Sequence, residues 1–178
     1  IKISSYALKD YIEGILKFYK SDQTLKNIEE KIDLEKLIEE LKTITDAKHK
    51  INLSFSSNTK EIFANRTALM QILINLVTNG IKYNSNPNID IGIHIMDRPE
   101  FYEMEVKDNG NGIPAAYLNK IFDIFSIVGV QDRDGNIGTG IGLAMVKKMV
   151  DNLGGKITVS SVEGVGSTFM FTLSKNLQ

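Results

Sequence analysis

Strands that follow one another with no helix between them restrict this chain more than any other feature. NIDIGIHIM (88–96) and FYEMEVKD (101–108) each alternate apolar and polar residues and are joined only through Asp97-Arg98-Pro99. KITVSSV (156–162) and STFMFTL (167–173) flank Glu163-Gly164-Val165-Gly166 as a hairpin, and INLSFS (51–56) alternates in the same way. Helical periodicity fills the rest. Leu8, Ile12, Ile15, Leu16 and Tyr19 form one stripe, and Leu34, Leu37, Ile38, Leu41 and Ile44 form a second, opened by Asp33 as N-cap. Residues 21–32 are polar and poorly periodic, and are expected to be a linker. A long helix is expected over 66–83, and another from about Gly140 to Asn152, stopped by Gly154-Gly155. Helices and strands mix without a regular βα alternation. The expected class is therefore α+β rather than a doubly wound sheet.

Composition removes several chemistries. The chain has no cysteine, so a disulfide framework, a thiol nucleophile and the usual zinc sites are excluded. Only His49 and His94 are present, too few for a poly-histidine metal centre. The net charge is −1, and the first 50 residues carry ten charges of each sign, so no basic stripe points to nucleic acid. No apolar run approaches the ~18 residues of a membrane span. The sequence begins at Ile1 inside a periodic segment and reads as part of a longer protein.

The helix RTALMQILINLVTNGIKY (66–83) carries the first chemical signal. At 100° per residue, Asn75, Asn79, Lys82 and Tyr83 share one arc, opposite Leu69, Leu73, Leu76, Val77 and Ile81. Ile72 is the one apolar residue on the polar side. The plain alternative is a solvent-facing surface. Yet two Asn, Thr78 and Gly80 sacrifice roughly 2–3 kcal/mol of helix propensity, which a surface helix has no reason to carry. An Asn carboxamide is a neutral oxygen ligand suited to Mg²⁺ held mainly by phosphates and water, and Lys82 lies one turn away.

Asp108-Asn109-Gly110-Asn111-Gly112-Ile113-Pro114 ends a strand. Such a segment is most often a plain turn. The functional alternative has Asp108 accepting a hydrogen bond from the exocyclic amine of adenine, with Gly110 and Gly112 letting the backbone approach the ring. Gly138-Thr139-Gly140-Ile141-Gly142-Leu143 opens a helix, where free backbone N–H groups suit phosphate oxygens. Its G-x-G-x-G spacing is neither a dinucleotide fingerprint nor a P-loop.

In their order and spacing, these three segments resemble the ATP-binding domain of sensor histidine kinases. That domain belongs to the GHKL superfamily, which also includes gyrase, Hsp90 and MutL. The resemblance runs from about residue 33 to 173. Asn75 to Tyr83 resembles the N box, Asp108 to Gly112 the first glycine box, Phe122 and Phe125 in IFDIF the F box, and Gly138 to Gly142 the second glycine box. Gly166-Ser167-Thr168-Phe169 resembles the last motif, with Thr168 as the hydroxyl residue near the adenine–Asp pair. Gly80 stands where the family usually has alanine, and the lid between Phe125 and Gly138 is short.

The resemblance implies an α/β sandwich of the Bergerat type, a mixed sheet covered on one face by helices. It implies a division into residues 1–32, the second helix of a dimerisation and phosphoacceptor hairpin with its linker, and residues 33–178, the catalytic domain. It also implies transfer of the γ-phosphoryl of Mg-ATP to a histidine on another segment. Asn79, with Asn75, would hold Mg²⁺, and Lys82 would meet phosphate. Tyr83 would line the ribose or base side, and Asp108 would select adenine. Gly110, Gly112, Ile113, Phe122, Phe125 and Thr168 would complete the nucleotide site. Gly138, Thr139, Gly140, Ile141, Gly142 and Leu143 would carry the lid over the phosphates. Neither His49 nor His94 matches the acceptor pattern. Expected partners are the phosphoacceptor segment of the parent kinase, a response-regulator receiver domain and a second copy through the N-terminal helix, with no nucleic acid. The expected location is cytoplasmic, in a parent that is membrane-anchored or not. Three rival readings are a water-activating GHKL ATPase, a serine kinase of the anti-sigma type and a non-catalytic module. The ATPases carry a glutamate where this chain has Asn75, whose amide is no base.

Overall fold

The computed structural model of the chain describes residues 29–45, 51–129 and 131–176. The expected first helix and His49 lie outside these residues. Strand β1 (Glu30–Asp33) leads into helix α1 (Leu34–Thr45), then β2 (Ile51–Ser57), β3 (Glu61–Ala64) and helix α2 (Arg66–Lys82). Strands β4 (Ile89–Asp97) and β5 (Phe101–Asp108) follow, then a 3-10 turn at Ala115–Tyr117, helix α3 (Gly142–Asn152), and the strands β6 (Ile157–Val162) and β7 (Gly166–Ser174).

The five-stranded sheet runs β2-β4-β5-β7-β6. β2 and β4 are parallel, and every other neighbouring pair is antiparallel. The α+β expectation and the mixed sheet are borne out. Alternation decides which face is covered. Ile89, Ile91, Ile93 and Ile95 of β4, Met104 and Val106 of β5, and Phe169, Phe171 and Leu173 of β7 are buried on one side. The other side carries Asp90, His94, Glu105, Lys107 and Met170 toward solvent or half-buried. All three helices contribute to the core on the apolar side.

α2 lies against β4 and β5, with α1 and α3 beside it. This placement explains Ile72, which the helical angle assigns to the polar side yet which is fully buried. A helix packed on a sheet and between two helices needs an apolar arc wider than one stripe. Asn65 caps α2, its Oδ1 accepting from the Ala68 N–H at 2.9 Å. Asp33 caps α1 similarly, accepting from the Lys36 N–H at 3.1 Å. That bond holds the Asp33 carboxyl below the usual range.

Three elements depart from the sequence expectation, one of them β3, since no strand is expected between INLSFS (51–56) and the long helix. Residues 30–33, assigned to the linker and to the start of α1, form β1 and pair antiparallel with β3, Ile32 opposite Ile62. The expected domain boundary at 32/33 falls inside that strand. α3 begins at Gly142 rather than Gly140, because Gly140 has φ +69° and cannot join the helix. Its far end stops as expected, with Gly154 at φ +65°. Among the described residues, no helix is long and apolar enough to cross a membrane.

Candidate functional site

A cleft of about 780 Å³ opens between the second half of α2, the end of β5, the β6–β7 hairpin and the loop before α3. Asn75, Asn79, Lys82, Tyr83 and Asp108 all line it. So do Gly112, Ile113, Gly138, Thr139, Gly140, Gly142 and Leu143. The helix, the Asp-Gly turn and the glycine loop, separated by up to 68 positions in sequence, are thus brought to one cavity.

The α2 side chains differ in how they are held. Asn75 donates through Nδ2 to the Gln71 carbonyl at 2.8 Å, and Thr78 Oγ1 donates to the Ile74 carbonyl at 2.6 Å. Among the described residues no hydrogen bond takes up the Asn79 carboxamide, which leaves its oxygen available at the cleft wall. Asn75 Oδ1 stands where a Cβ on Gly142 would approach it to 3.3 Å, so the start of α3 rests against Asn75. α3 itself has no side-chain N-cap, and its first N–H groups face a loop of glycines. These N–H groups and Lys82 form a setting for phosphate oxygens.

Asp108 ends β5 and is mostly buried. Its Oδ1 accepts from the Gly110 N–H at 2.8 Å and the Ser167 N–H at 3.2 Å. Among the described residues nothing is bonded to Oδ2. Burial pushes the Asp108 carboxyl above the ordinary range, and the two backbone bonds only partly oppose it. A carboxylate held by one oxygen, with the other open to a cavity, suits an exocyclic amine. Around it the backbone is packed closely. A Cβ on Gly112, at φ +70°, would lie 2.1 Å from the Val162 carbonyl oxygen. On Gly80 it would meet Asp108 Cβ at 3.0 Å. The glycine in α2 therefore lets helix and Asp108 approach each other.

The short lid has an internal structure of its own. Asp132 Oδ1 accepts from the Asp134 and Asn136 N–H groups at 3.0 and 2.7 Å, and Gln131 bridges to Ile137. The Arg133 N–H donates to the Lys82 carbonyl at 2.8 Å, and its Nη2 donates to the Asn86 carbonyl at 3.0 Å, tying this turn to the end of α2. Tyr83 lies beneath it, its hydroxyl 2.3 Å from where a Cβ on Gly138 would be. Burial, and then the charge of Asp132, raise the Tyr83 phenol above its ordinary value. Four carboxylates line the cleft (Asp108, Asp132, Asp134 and Glu163) against one lysine, Lys82.

Five expected site residues stand elsewhere. Thr168 faces the outer side of the sheet opposite Lys107, because inward positions on β7 alternate through Ser167, Phe169 and Phe171. Ser167 takes its place beside Asp108, and its Oγ lies 3.0 Å from that of Ser161. Gly110 acts through its N–H rather than by lining the cavity. Phe122 packs edge-on against Phe169, with ring centroids 6.5 Å apart. Phe125 is exposed at φ 65°, and its N–H bonds to the Gly140 carbonyl at 3.0 Å, which fixes the lid's two ends together. Ile141 is buried at the head of α3. Asp132, Asp134, Asn136 and Glu163 line the cleft without any sequence signal marking them out.

The sequence profile of the histidine kinase-, DNA gyrase B- and HSP90-like ATPases matches residues 64–177. The aerobic respiration control sensor protein ArcB of Escherichia coli (strain K12) is 38% identical over 116 residues, covering 64% of this chain and 14% of ArcB. The chain thus spans about a seventh of that relative's length. The catalytic domain of histidine kinase ThkA is 30% identical with a TM-score of 0.69, covering 83% of this chain and 97% of that domain. ThkA in complex with the response regulator protein TrrA shares the fold, at 24% identity and a TM-score of 0.68, covering 98% of this chain and 52% of that one. The chain belongs to the histidine kinase-, DNA gyrase B- and HSP90-like ATPases, as a catalytic domain of the histidine kinase kind.

Proposed function

We propose that the cleft binds Mg-ATP and that the domain delivers the γ-phosphoryl group to a histidine on another segment. The observation that carries this reading is that one cavity is lined both by Asp108, with its open Oδ2, and by Asn79, with its open carboxamide. The first fits an adenine amine. The second, beside Lys82 and the uncapped start of α3, fits a divalent cation already bound to phosphates. Mg²⁺, when bound, would neutralise charge on the transferring group, which is most of what such a transfer needs from a protein. Asn79 would hold the ion, with Asn75 next to it. Lys82 would orient the phosphates, and Tyr83 would close the sugar side of the cleft.

Hydrolysis by activated water is the weaker reading. Asn75 is a neutral carboxamide whose nitrogen donates to the Gln71 carbonyl and whose oxygen is far too weakly basic to take a proton from water. A histidine acceptor is its own nucleophile and needs no such base. His94 is not that acceptor: it is exposed on the outer face of β4, its Nδ1 2.7 Å from Ser56 Oγ. The acceptor segment, a receiver domain and a second copy of the parent are proposed partners on the strength of the family.

The test uses radiolabelled ATP. The chain alone is expected to bind Mg-ATP in calorimetry yet gain no acid-labile label, and the parent's hairpin segment, added in trans, is expected to become labelled. Asn79→Ala is expected to lose most of the Mg²⁺-dependent part of the affinity. Affinity equal with and without Mg²⁺, or label on the chain itself lost in His94→Gln, would refute the reading.

A further inference from the structure

The turn that carries Asp108 is held by one side chain whose hydrogen-bonding capacity is fully used. Asn109 Oδ1 accepts from Asn84 Nδ2 at 2.8 Å and from the Asp90 N–H at 3.0 Å. Asn109 Nδ2 donates to the Asn88 carbonyl at 3.0 Å and to Asp90 Oδ2 at 3.2 Å. Two donors and two acceptors exhaust a carboxamide, and turning the amide over would set all four bonds against one another. The Asn109 N–H also reaches the Asp90 carbonyl at 3.2 Å. Asn84, which supplies one of the bonds, is 1% exposed. Asp90 is itself fixed from the far side, its Oδ1 accepting from Asn52 Nδ2 on β2 at 2.9 Å.

Asn109 is the residue between Asp108 and Gly110, and the Gly110 N–H is the closer of the two donors on Asp108 Oδ1. Where Asn109 is clamped decides where that N–H points. Its direction in turn decides which way Asp108 presents Oδ2. We propose that Asn109, through its pairing with Asp90, is the positioning residue that sets the base selectivity of the cleft. Neither residue lines the cavity. The inference rests on the reading that Asp108 meets the exocyclic amine of adenine.

Asn109→Asp removes both donors and sets a second carboxylate against Asp90. Exchanging the partners, Asn109→Asp with Asp90→Asn, restores that contact with reversed polarity, while the bond to the Asn88 carbonyl is lost and a carboxylate oxygen faces that carbonyl instead. The cycle is measured by calorimetry with Mg-ATP and Mg-ITP, which differ at the exocyclic amine, together with thermal melts. The wild type is expected to prefer ATP by about 10-fold or more, the worth of one hydrogen bond to a charged group. Asn109→Asp is expected to bring ATP down to within about 3-fold of ITP while leaving ITP nearly unchanged, and the exchange to recover most of the preference. A purely structural clamp would weaken both nucleotides alike. Equal losses for ATP and ITP, or an unchanged ratio in Asn109→Asp, would overturn the assignment. Should Asn109→Asp fail to fold, the exchanged pair decides alone, and a collapsed ratio there overturns it. A wild type that binds neither nucleotide would overturn the nucleotide reading itself, and this inference with it.

Discussion

Replacing Asp108 with Asn separates what the fold wants from what the site wants. The carbonyl of Asn can take over Oδ1, accepting from the Gly110 and Ser167 N–H groups at 2.8 and 3.2 Å. Its NH₂ then occupies the place of Oδ2 and faces the cleft. The folded chain loses a mostly buried negative charge with no cation bonded to it, so the empty protein is expected to gain about 1 kcal/mol, the usual yield of relieving a functional site. For a domain of this size that raises Tm by about 2–4 °C. Because burial holds the Asp108 pKa above its unfolded value of 3.8, the folded state binds the extra proton between those two values. Wild-type stability therefore falls as pH rises through that window, and the variant removes this contribution. Binding moves the other way. An amine facing an amine forfeits a hydrogen bond worth about 1.5–3 kcal/mol, so ATP affinity is expected to drop roughly 10- to 150-fold. GTP, which offers a carbonyl at that position, is expected to lose much less or to gain. Calorimetry with both nucleotides and melts at pH 4 to 8 measure all three effects. A variant that is no more stable than the wild type and binds ATP as well would refute the account of Asp108.

Other substitutions probe the frame. Gly140→Ala would place a Cβ 2.7 Å from the Phe125 carbonyl carbon at a φ of +69°, so the lid root should shift and ATP affinity fall about 10-fold, with little change in the melt. Gly155→Ala would bring a Cβ to 1.7 Å from the Thr172 carbonyl oxygen, and a loss of about 3 kcal/mol in urea unfolding is expected, far from the cleft. Asn65→Ala removes the cap of α2 and should cost about 1 kcal/mol by the same assay, with Mg-ATP binding retained in what stays folded.

Most of the frame was legible because its strands alternate cleanly and its helices carry well-placed caps and stops. The chemical residues on α2 could be singled out because Asn75, Asn79 and Gly80 weaken a helix that sits in the middle of the core. β1 was not legible. EKID offers one buried side chain, Ile32, and its pairing with β3 is a contact across 30 residues that no local pattern records. Thr168 was misplaced although the signal was there: Phe169, Phe171 and Leu173 alternate inward, and the same period carries Ser167, not Thr168, to that side. The lid turn was hidden for another reason. It is built from Asp132 accepting its own backbone N–H groups and from Arg133 reaching carbonyls at the end of α2, neither of which depends on periodicity.

The imbalance of charge around the cleft bears on how fast a nucleotide can enter. Asp108, Asp132, Asp134 and Glu163 share the cleft lining with Lys82, and even with Arg133 of the lid turn counted the negative charges outnumber the positive, so an approaching polyphosphate would meet a net repelling field. Diffusional encounter is governed by that longer-range field, which salt screens over about 10 Å at 0.1 M, while the contacts made at close range are screened far less. For most phosphate-binding proteins added salt slows association. Here the opposite sign is expected: raising the ionic strength would speed the encounter with free nucleotide, and pairing the phosphates with a divalent cation would have the same effect by lowering the charge that must pass the rim.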